Sequence, residues 1–301
     1  MRVSVVVPVY NAQDTLPECL GALLNQSLDR SEYEIIVVDD GSSDDSASIA
    51  GNLGVRLVKQ RNGGAGAARN TGSGAALGAW VAFTDADCVP SRGWLANLLD
   101  AVEREENGRS ALGAAGRTVG FASETSAARF VDLMGSLDAQ RHLDHPHFPF
   151  APSLNVMYRR LALEAVGGFD ERYTTYEACD LHNRLTRKVG GAFHYAPRAV
   201  ILHRHRASWK QYWRQQLSYG KGYAQFMMQY ADEIPWSFGL EARSWAGVVK
   251  LGLGACLPGK DDEALIRRGL FVKQLAQRMG FVKTYWSRKE RQRWHQSLPA
   301  G

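Results

Sequence analysis

Cysteine is scarce and scattered: Cys19, Cys88, Cys179 and Cys256 are the only four in 301 residues, and no two have Cys-x-x-Cys spacing. That excludes a disulfide scaffold, a zinc ribbon and a redox dithiol, and makes a reducing compartment the default. Long apolar runs are lacking too. No stretch reaches the roughly 20 apolar residues that a spanning helix needs. The nearest, Trp245 to Leu257, is short, glycine-rich and interrupted by Lys250. No signal-peptide pattern precedes the first apolar run, so a cytoplasmic location is expected. There is no internal repeat and no low-complexity linker. Each half is short of charge of one sign. Residues 1–150 hold 12 Lys and Arg against 19 Asp and Glu, while residues 151–301 hold 24 against 12. An acidic half suits a metal, and a basic half suits an anionic partner.

What is present is carboxylate at the ends of buried strands. The run Ala79 to Thr84 is short, apolar and aromatic, and ends in Asp85 and Asp87. The run Glu34 to Val38 ends in Asp39 and Asp40. In an open α/β sheet the carboxyl ends of the strands are where ligands bind. Carboxylates gathered there repel one another unless a cation joins them. Mg²⁺ or Mn²⁺ is the natural choice, since both take carboxylate oxygens and share them with substrate phosphates. A metal-assisted enzyme acting on a nucleotide-linked substrate follows.

The first hundred or so residues alternate strand and helix signals. Val3 to Val9 is a β-branched run. Asp14 or Thr15 caps a helix with Pro17 in its first turn and a stripe of Leu16, Leu20, Leu23 and Leu24. Val55 to Lys59 is a third strand, and an alanine-rich helix leads into the strand at 79–84. Ser91 caps a helix running to about Glu106. Such alternation implies a largely parallel sheet. Beyond this, Leu112 to Val119 reads as a strand, His142 to Pro152 as an irregular loop, Glu177 to Val189 as a helix, and everything after Ser208 as helical.

Five segments occur in order: Val3-Ser-Val-Val-Val-Pro-Val-Tyr-Asn11, Val37-Val-Asp-Asp-Gly-Ser-Ser-Asp44, Asn62-Gly-Gly-Ala-Gly-Ala-Ala-Arg-Asn70, Thr84-Asp-Ala-Asp87 and Gly167-Gly-Phe-Asp-Glu171. Together they strongly resemble the inverting glycosyltransferases of family 2. The resemblance covers about residues 1–220. It implies the nucleotide-diphospho-sugar transferase fold, GT-A: an α/β domain with a mostly parallel central sheet flanked by helices. The expected division is a catalytic domain over 1–206, with a nucleotide-sugar half at 1–110 and an acceptor half at 111–206, then a helical C-terminal extension at 207–301.

The resemblance also assigns roles. Pro8, Val9 and Tyr10 line the base and ribose. Asp40 accepts a hydrogen bond from the N3–H of uracil, which favours a UDP-sugar, and Asp39 holds backbone N–H groups of its own loop. Arg69 pairs either with the diphosphate or with a neighbouring aspartate. Asp85 contacts ribose or a metal-bound water, Ala86 lies against the donor, and Asp87 binds Mn²⁺ or Mg²⁺ directly. His203, after the strand-like Ala199 to Leu202, is a candidate to complete the metal shell. Relatives carry Glu-Asp-x-Asp-Leu where this chain has Glu177-Ala178-Cys179-Asp180-Leu181, so the usual base is missing. Glu177 is then the first candidate for the base and Asp180 the second, unless Asp180 braces the helix. An acceptor that needs little activation, or an inactive nucleotide-sugar-binding scaffold, are the other readings.

Two other enzymes are excluded by the residues. Gly64-Ala-Gly-Ala-Ala-Arg69 fails the dinucleotide fingerprint at its last place, and Val9-Tyr10-Asn11-Ala12 lacks the glycine- and arginine-rich loop of a nucleotidyltransferase. His142, His145 and His147 form a weak zinc signal and suit an acceptor-side loop better. Trp209, Tyr212, Trp213, Tyr219 and Tyr223 lie among basic residues and either pack a helix or meet a sugar or a membrane; a nucleic-acid partner is not expected. The basic tail from Arg267 to Arg293 reads as attachment to anionic lipid at the inner face of the cell membrane, near a saccharide or lipid-linked acceptor, or as a solvated helix.

Overall fold

A computed structural model of the chain describes residues 1–103, 110–135, 137–234, 237–287, 292 and 294. The strands are β1 (Val3–Val9), β2 (Tyr33–Asp39), β3 (Arg56–Lys59), β4 (Trp80–Phe83), β5 (Cys88–Pro90), β6 (Ala111–Phe121), β7 (Val156–Arg159) and β8 (Ala192–Arg204). The helices are α1 (Leu16–Leu24), α2 (Ser46–Asn52), α3 (Ala65–Ala75), α4 (Trp94–Glu103), α5 (Ser126–Met134), α6 (Ala139–Leu143), α7 (Arg160–Val166), α8 (Glu177–Lys188), α9 (Trp209–Gln229), α10 (Phe238–Ala255) and α11 (Asp262–Tyr285). Among the described residues no helix is long and apolar enough to cross a membrane.

The strands form one sheet in the order β3-β2-β1-β4-β7-β6-β8-β5. Four of its seven neighbouring pairs are parallel and three antiparallel. β1 lies between two parallel neighbours and is apolar at almost every position, because both its faces are covered. Val3, Val5, Val7 and Val9 face a core with Leu16, Leu20 and Leu23 of α1 and Trp94, Leu95 and Leu98 of α4. Val6, on the opposite face, joins Ala68 of α3, Leu163 of α7 and Leu181 and Leu185 of α8. This period of two builds three layers from one strand. Gly72 lets α3 lie close on that second face: a Cβ there would stand 2.3 Å from Cγ1 of Val6.

The short strands β5 and β7 carry no periodic signal and were not expected. β5 has three residues and ends in Pro90 at the sheet edge, where a missing N–H is tolerated. α4 starts at Trp94, with the Trp94 N–H donating to the carbonyl of Ser91. α6 occupies the first positions of the loop expected from His142. The tail expectation for residues 288–291, 293 and 295–301 lies outside the described residues.

The chain divides into two compact units. One comprises Met1–Phe121, Gly135–Glu171 and Ala178–Arg204; the other comprises Ala122–Met134, Arg172–Glu177 and the chain from His205 onward. The second unit is helical. Ser208, Ser237 and Asp261 cap α9, α10 and α11 by accepting from Gln211, Leu240 and Ala264 N–H groups. Tyr212 is buried in contact with Phe130, and Tyr223 packs on Phe281, so these aromatics serve as core.

α9 and α11 cross through paired glycines. A Cβ on Gly220 would stand 2.0 Å from the Gln277 carbonyl oxygen, and one on Gly280 would stand 2.2 Å from that of Leu217. Backbone cannot yield as a side chain does, so Gly280→Ala is expected to lower stability by about 1–3 kcal/mol. Gly247→Ala on α10 meets nothing within 4 Å and should instead raise stability by about 0.5–1 kcal/mol. Thermal melts of the two variants check the pair, and equal midpoints would contradict the crossing.

Candidate active site

The carboxyl ends of β1, β2 and β4 open on one edge of the sheet. After β1, Pro8 and Val9 give way to Tyr10, which is 56 % exposed. Asn11 turns the chain with φ of 51°. Its N–H donates to Ser42 Oγ at 3.0 Å, and its Oδ1 accepts from the Ser43 N–H at 2.8 Å. The turns after β1 and β2 are thereby stitched together. Asp39 accepts from the Ser42 N–H at 3.0 Å, the loop-holding role expected of it.

Asp40 is buried and shapes the next loop. Its Oδ1 accepts from Gln60 Nε2 and the Gly63 N–H, and its Oδ2 accepts from the Gly64 N–H, each at 2.8 Å. Gly64 has φ of 90° and ψ of 169°, a region open essentially to glycine alone, and it stands at the start of α3. A carboxylate has about four acceptor positions, so three internal donors leave one for a ligand. Gln60 carried no signal in the sequence, because it is an ordinary polar residue after a strand.

α3 carries Arg69 inward. The residue is 3 % exposed, and its Nη2 donates to Asp85 Oδ1 at 2.9 Å. Its guanidinium lies 5.6 Å from the centre of the Phe169 ring. The neighbouring aspartate, one of the two partners expected for Arg69, is in contact with it. Asn70 ties α3 to the Gly167-Gly168-Phe169 turn, donating to the Phe169 carbonyl and accepting its N–H, both at 2.8 Å. Both glycines in that turn have φ above 70°.

Asp87 meets a residue 116 positions further along the chain. β5 runs antiparallel to β8 with Cys88 opposite His203. This register sets His203 Nε2 3.7 Å from Asp87 Oδ1. The separation is too long for a hydrogen bond. It suits two ligands of one ion, because ligands about 2.1 Å from a metal lie roughly 3 to 4 Å apart. Asp87, Cys88 and His203 are the one such group among the described residues, with ligand atoms within 4.8 Å of one another. The Cys88 thiol is raised well above its ordinary value, by burial first and then by the charges of Asp85 and Asp87. Cys19, which donates to the Asp85 carbonyl at 3.5 Å, is raised for the same reasons, with burial the largest. Sulfur is a soft donor, so of the three groups the Asp87 carboxylate and the His203 imidazole are the ones that suit a hard divalent ion. That set fits Mn²⁺ or Mg²⁺ that also holds phosphate oxygens. Ala86, between the two aspartates, is buried.

α8 separates the two base candidates. Glu177 is its first residue and is half-buried. Asp180 is 0 % exposed, and its Oδ2 accepts from Arg184 Nε at 2.8 Å. Arg184 also donates to the Val166 and Gly168 carbonyls at 2.8 and 2.9 Å. Asp180 therefore braces the glycine turn through Arg184, a residue that no motif singles out. The helical neighbour His182 is held neutral by burial, its pKa lowered to about 4. His145 accepts the Phe148 N–H at Nδ1, 3.1 Å away, and His142 lies tilted against Phe150 with ring centres 4.6 Å apart, so these histidines shape their loop.

Residues 4–167 match the family model described as glycosyl transferase family 2. Among curated relatives, the pre-mycofactocin glycosyltransferase of Mycobacterium tuberculosis is 34 % identical over 241 residues, which cover 77 % of this chain and 48 % of that protein. Glycosyltransferase AglE of Haloferax volcanii is 42 % identical over 100 residues, 31 % of this chain and 33 % of that one. The chain thus spans about half the length, or less, of these curated relatives. Among solved structures, the mannosyltransferase PcManGT of Pyrobaculum calidifontis, in complex with GDP-Man and Mn²⁺, superposes with a TM-score of 0.66 at 20 % identity, over 95 % of this chain and 88 % of that one. The S. aureus TarS fragment 1–349 with UDP-GlcNAc gives 0.54 at 18 % identity, over 99 % and 93 %. The fold is the GT-A fold that the sequence implied.

Proposed function

Since the chain belongs to glycosyl transferase family 2, we propose that it is a metal-dependent inverting glycosyltransferase. It moves a sugar from a nucleotide-diphosphate sugar, with UDP favoured, to a hydroxyl of a glycan, cell-envelope or lipid-linked saccharide. The observation that carries this reading is the 3.7 Å approach of His203 to Asp87 beside the Arg69–Asp85 pair, at the ligand-binding edge of the sheet. Structural neighbours bind GDP-Man with Mn²⁺ and UDP-GlcNAc.

In this reading residues 1–110 hold the donor and 111–206 face the acceptor. Asp87 and His203 would hold the divalent ion, which would supply positive charge to neutralise the departing nucleotide diphosphate. Arg69 fixes Asp85, and so the direction of its free oxygen. Pro8, Val9 and Tyr10 receive the base and ribose. Glu177 takes the proton of the acceptor hydroxyl as its oxygen attacks the anomeric carbon, and one displacement inverts that carbon. Turnover with a panel of donors tests the proposal. Ala178 supports a second reading, a scaffold that binds donor without transfer; donor binding without turnover on any acceptor would establish it.

Base choice has its own test. Asp40→Asn is a poor probe, because the clamp on Gly63 and Gly64 needs both carboxylate oxygens. Losing one such bond costs about 1–3 kcal/mol of stability as well. The cleaner measurement varies the ligand. Calorimetry on the unmodified protein should show UDP binding at least tenfold tighter than UDP methylated at N3, since methylation removes the donor that the fourth acceptor position receives. Equal affinities would remove Asp40 from base recognition.

A further inference from the structure

The second unit carries a surface that nucleotide-sugar chemistry does not use. α10 is apolar along an exposed face: Val249 is 61 % exposed, Leu253 70 % and Leu257, just past the helix end, 55 %. Ala242 and Ala246 continue the stripe one and two turns earlier and are also exposed. One exposed leucine on a protein surface is ordinary. A run at i, i+4 and i+8 on one helix is a continuous apolar ridge. Beside this ridge, α10 and α11 enclose an open groove of about 580 Å³. Its lining includes Arg243, Lys250, Arg267 and Arg278 and no acidic residue. Arg278 pairs with Glu241 at 2.9 Å, and Arg267 lies 3.7 Å from Glu263. Arg243 and Lys250 have no ion pair among the described residues.

We propose that this face of α10 is a docking surface for an anionic lipid bilayer, with Val249, Leu253 and Leu257 entering the headgroup boundary and Arg243 and Lys250 meeting lipid phosphate. The charge complement selects this occupant. A second copy of the chain would bring the same cations against one another, whereas an anionic surface matches them. An apolar ridge flanked by Lys and Arg on a helix too polar to span is the pattern of an interfacial helix. The sequence alone directs attention to the basic residues after 260. The structure shifts it to α10, because Gly269, Ala276, Gly280 and Phe281 of α11 are spent on packing within the unit.

Co-sedimentation of the 301-residue chain with lipid vesicles tests the surface without any turnover, so its failure and that of the transferase reading are distinct. The chain should bind phosphatidylglycerol-rich vesicles at low salt, lose binding as salt is raised, and ignore pure phosphatidylcholine. Replacing both Arg243 and Lys250 by alanine should weaken the partition about 25-fold, about fivefold for each cation lost. Val249→Glu with Leu253→Glu should abolish it. These side chains are exposed, and unchanged thermal midpoints confirm that the variants fold; Val249→Ser with Leu253→Ser serves if the glutamates do not. Binding that persists in both double variants, or no binding of the unmodified chain at low salt, overturns the proposal. So does a dimer in solution that Leu253→Glu dissociates, since the occupant would then be a second copy.

Discussion

Asp87→Ala should lose about a hundredfold or more in kcat/KM, roughly 3 kcal/mol of transition-state stabilisation. The variant removes a carboxylate that stands within ligand distance of His203, so the diphosphate leaving group keeps its charge. Asp87 is about a quarter exposed, so the fold should survive. His203→Ala should lose less, because imidazole contributes coordination without charge. A binding readout separates metal loss from other damage. With UDP present, Mn²⁺ should raise the melting temperature of the unmodified protein, and this rise should vanish in Asp87→Ala. Full activity of Asp87→Ala in the presence of a chelator would sink the metal reading. Asp85→Ala would be a less clean experiment, since it removes the ion pair that buried Arg69 makes with Asp85.

Glu177→Gln should lower kcat by about 10²–10⁴-fold with donor affinity nearly unchanged. The amide keeps the size and reach of the side chain and removes its basicity. Asp180→Asn should act on stability instead, because Asp180 is fully buried against Arg184, which in turn holds the Val166 and Gly168 carbonyls. Restoring the family pattern with Ala178→Asp meets an obstacle visible only in the structure: Ala178 is 6 % exposed. A carboxylate there would be desolvated and held protonated, so this change should cost stability and restore little. A fully active Glu177→Gln beside a folded but dead Asp180→Asn would reverse the assignment.

The strands that frame the site were legible because their residues are locally consistent. β1, β2 and β4 are short apolar runs, and each expected position lies within a residue or two of the observed strand. Asp39, Asp40, Asp85 and Asp87 were legible because a charge that ends a buried run has to face a cavity or solvent. α9 begins just after Ser208, where the helical pattern was read to start. The strands β5 and β7 were not legible. Three residues in β5 and four in β7 carry no period that propensity can register, and their pairing rests on partners far away.

The sequence by itself determined the layered α/β order, the family, and which carboxylates reach the ligand edge, since each follows from patterns within about ten residues. Only the tertiary structure decided what those carboxylates do with their oxygens. It gave Asp40 to the glycine loop and Asp85 to Arg69. It also brought His203 to Asp87, through the antiparallel register of β5 on β8. The physical reason is common to these three. A carboxylate's role is set by the partner nearest it in space, and for Asp40, Asp85 and Asp87 that partner is placed by strand register and helix packing rather than by neighbours along the chain.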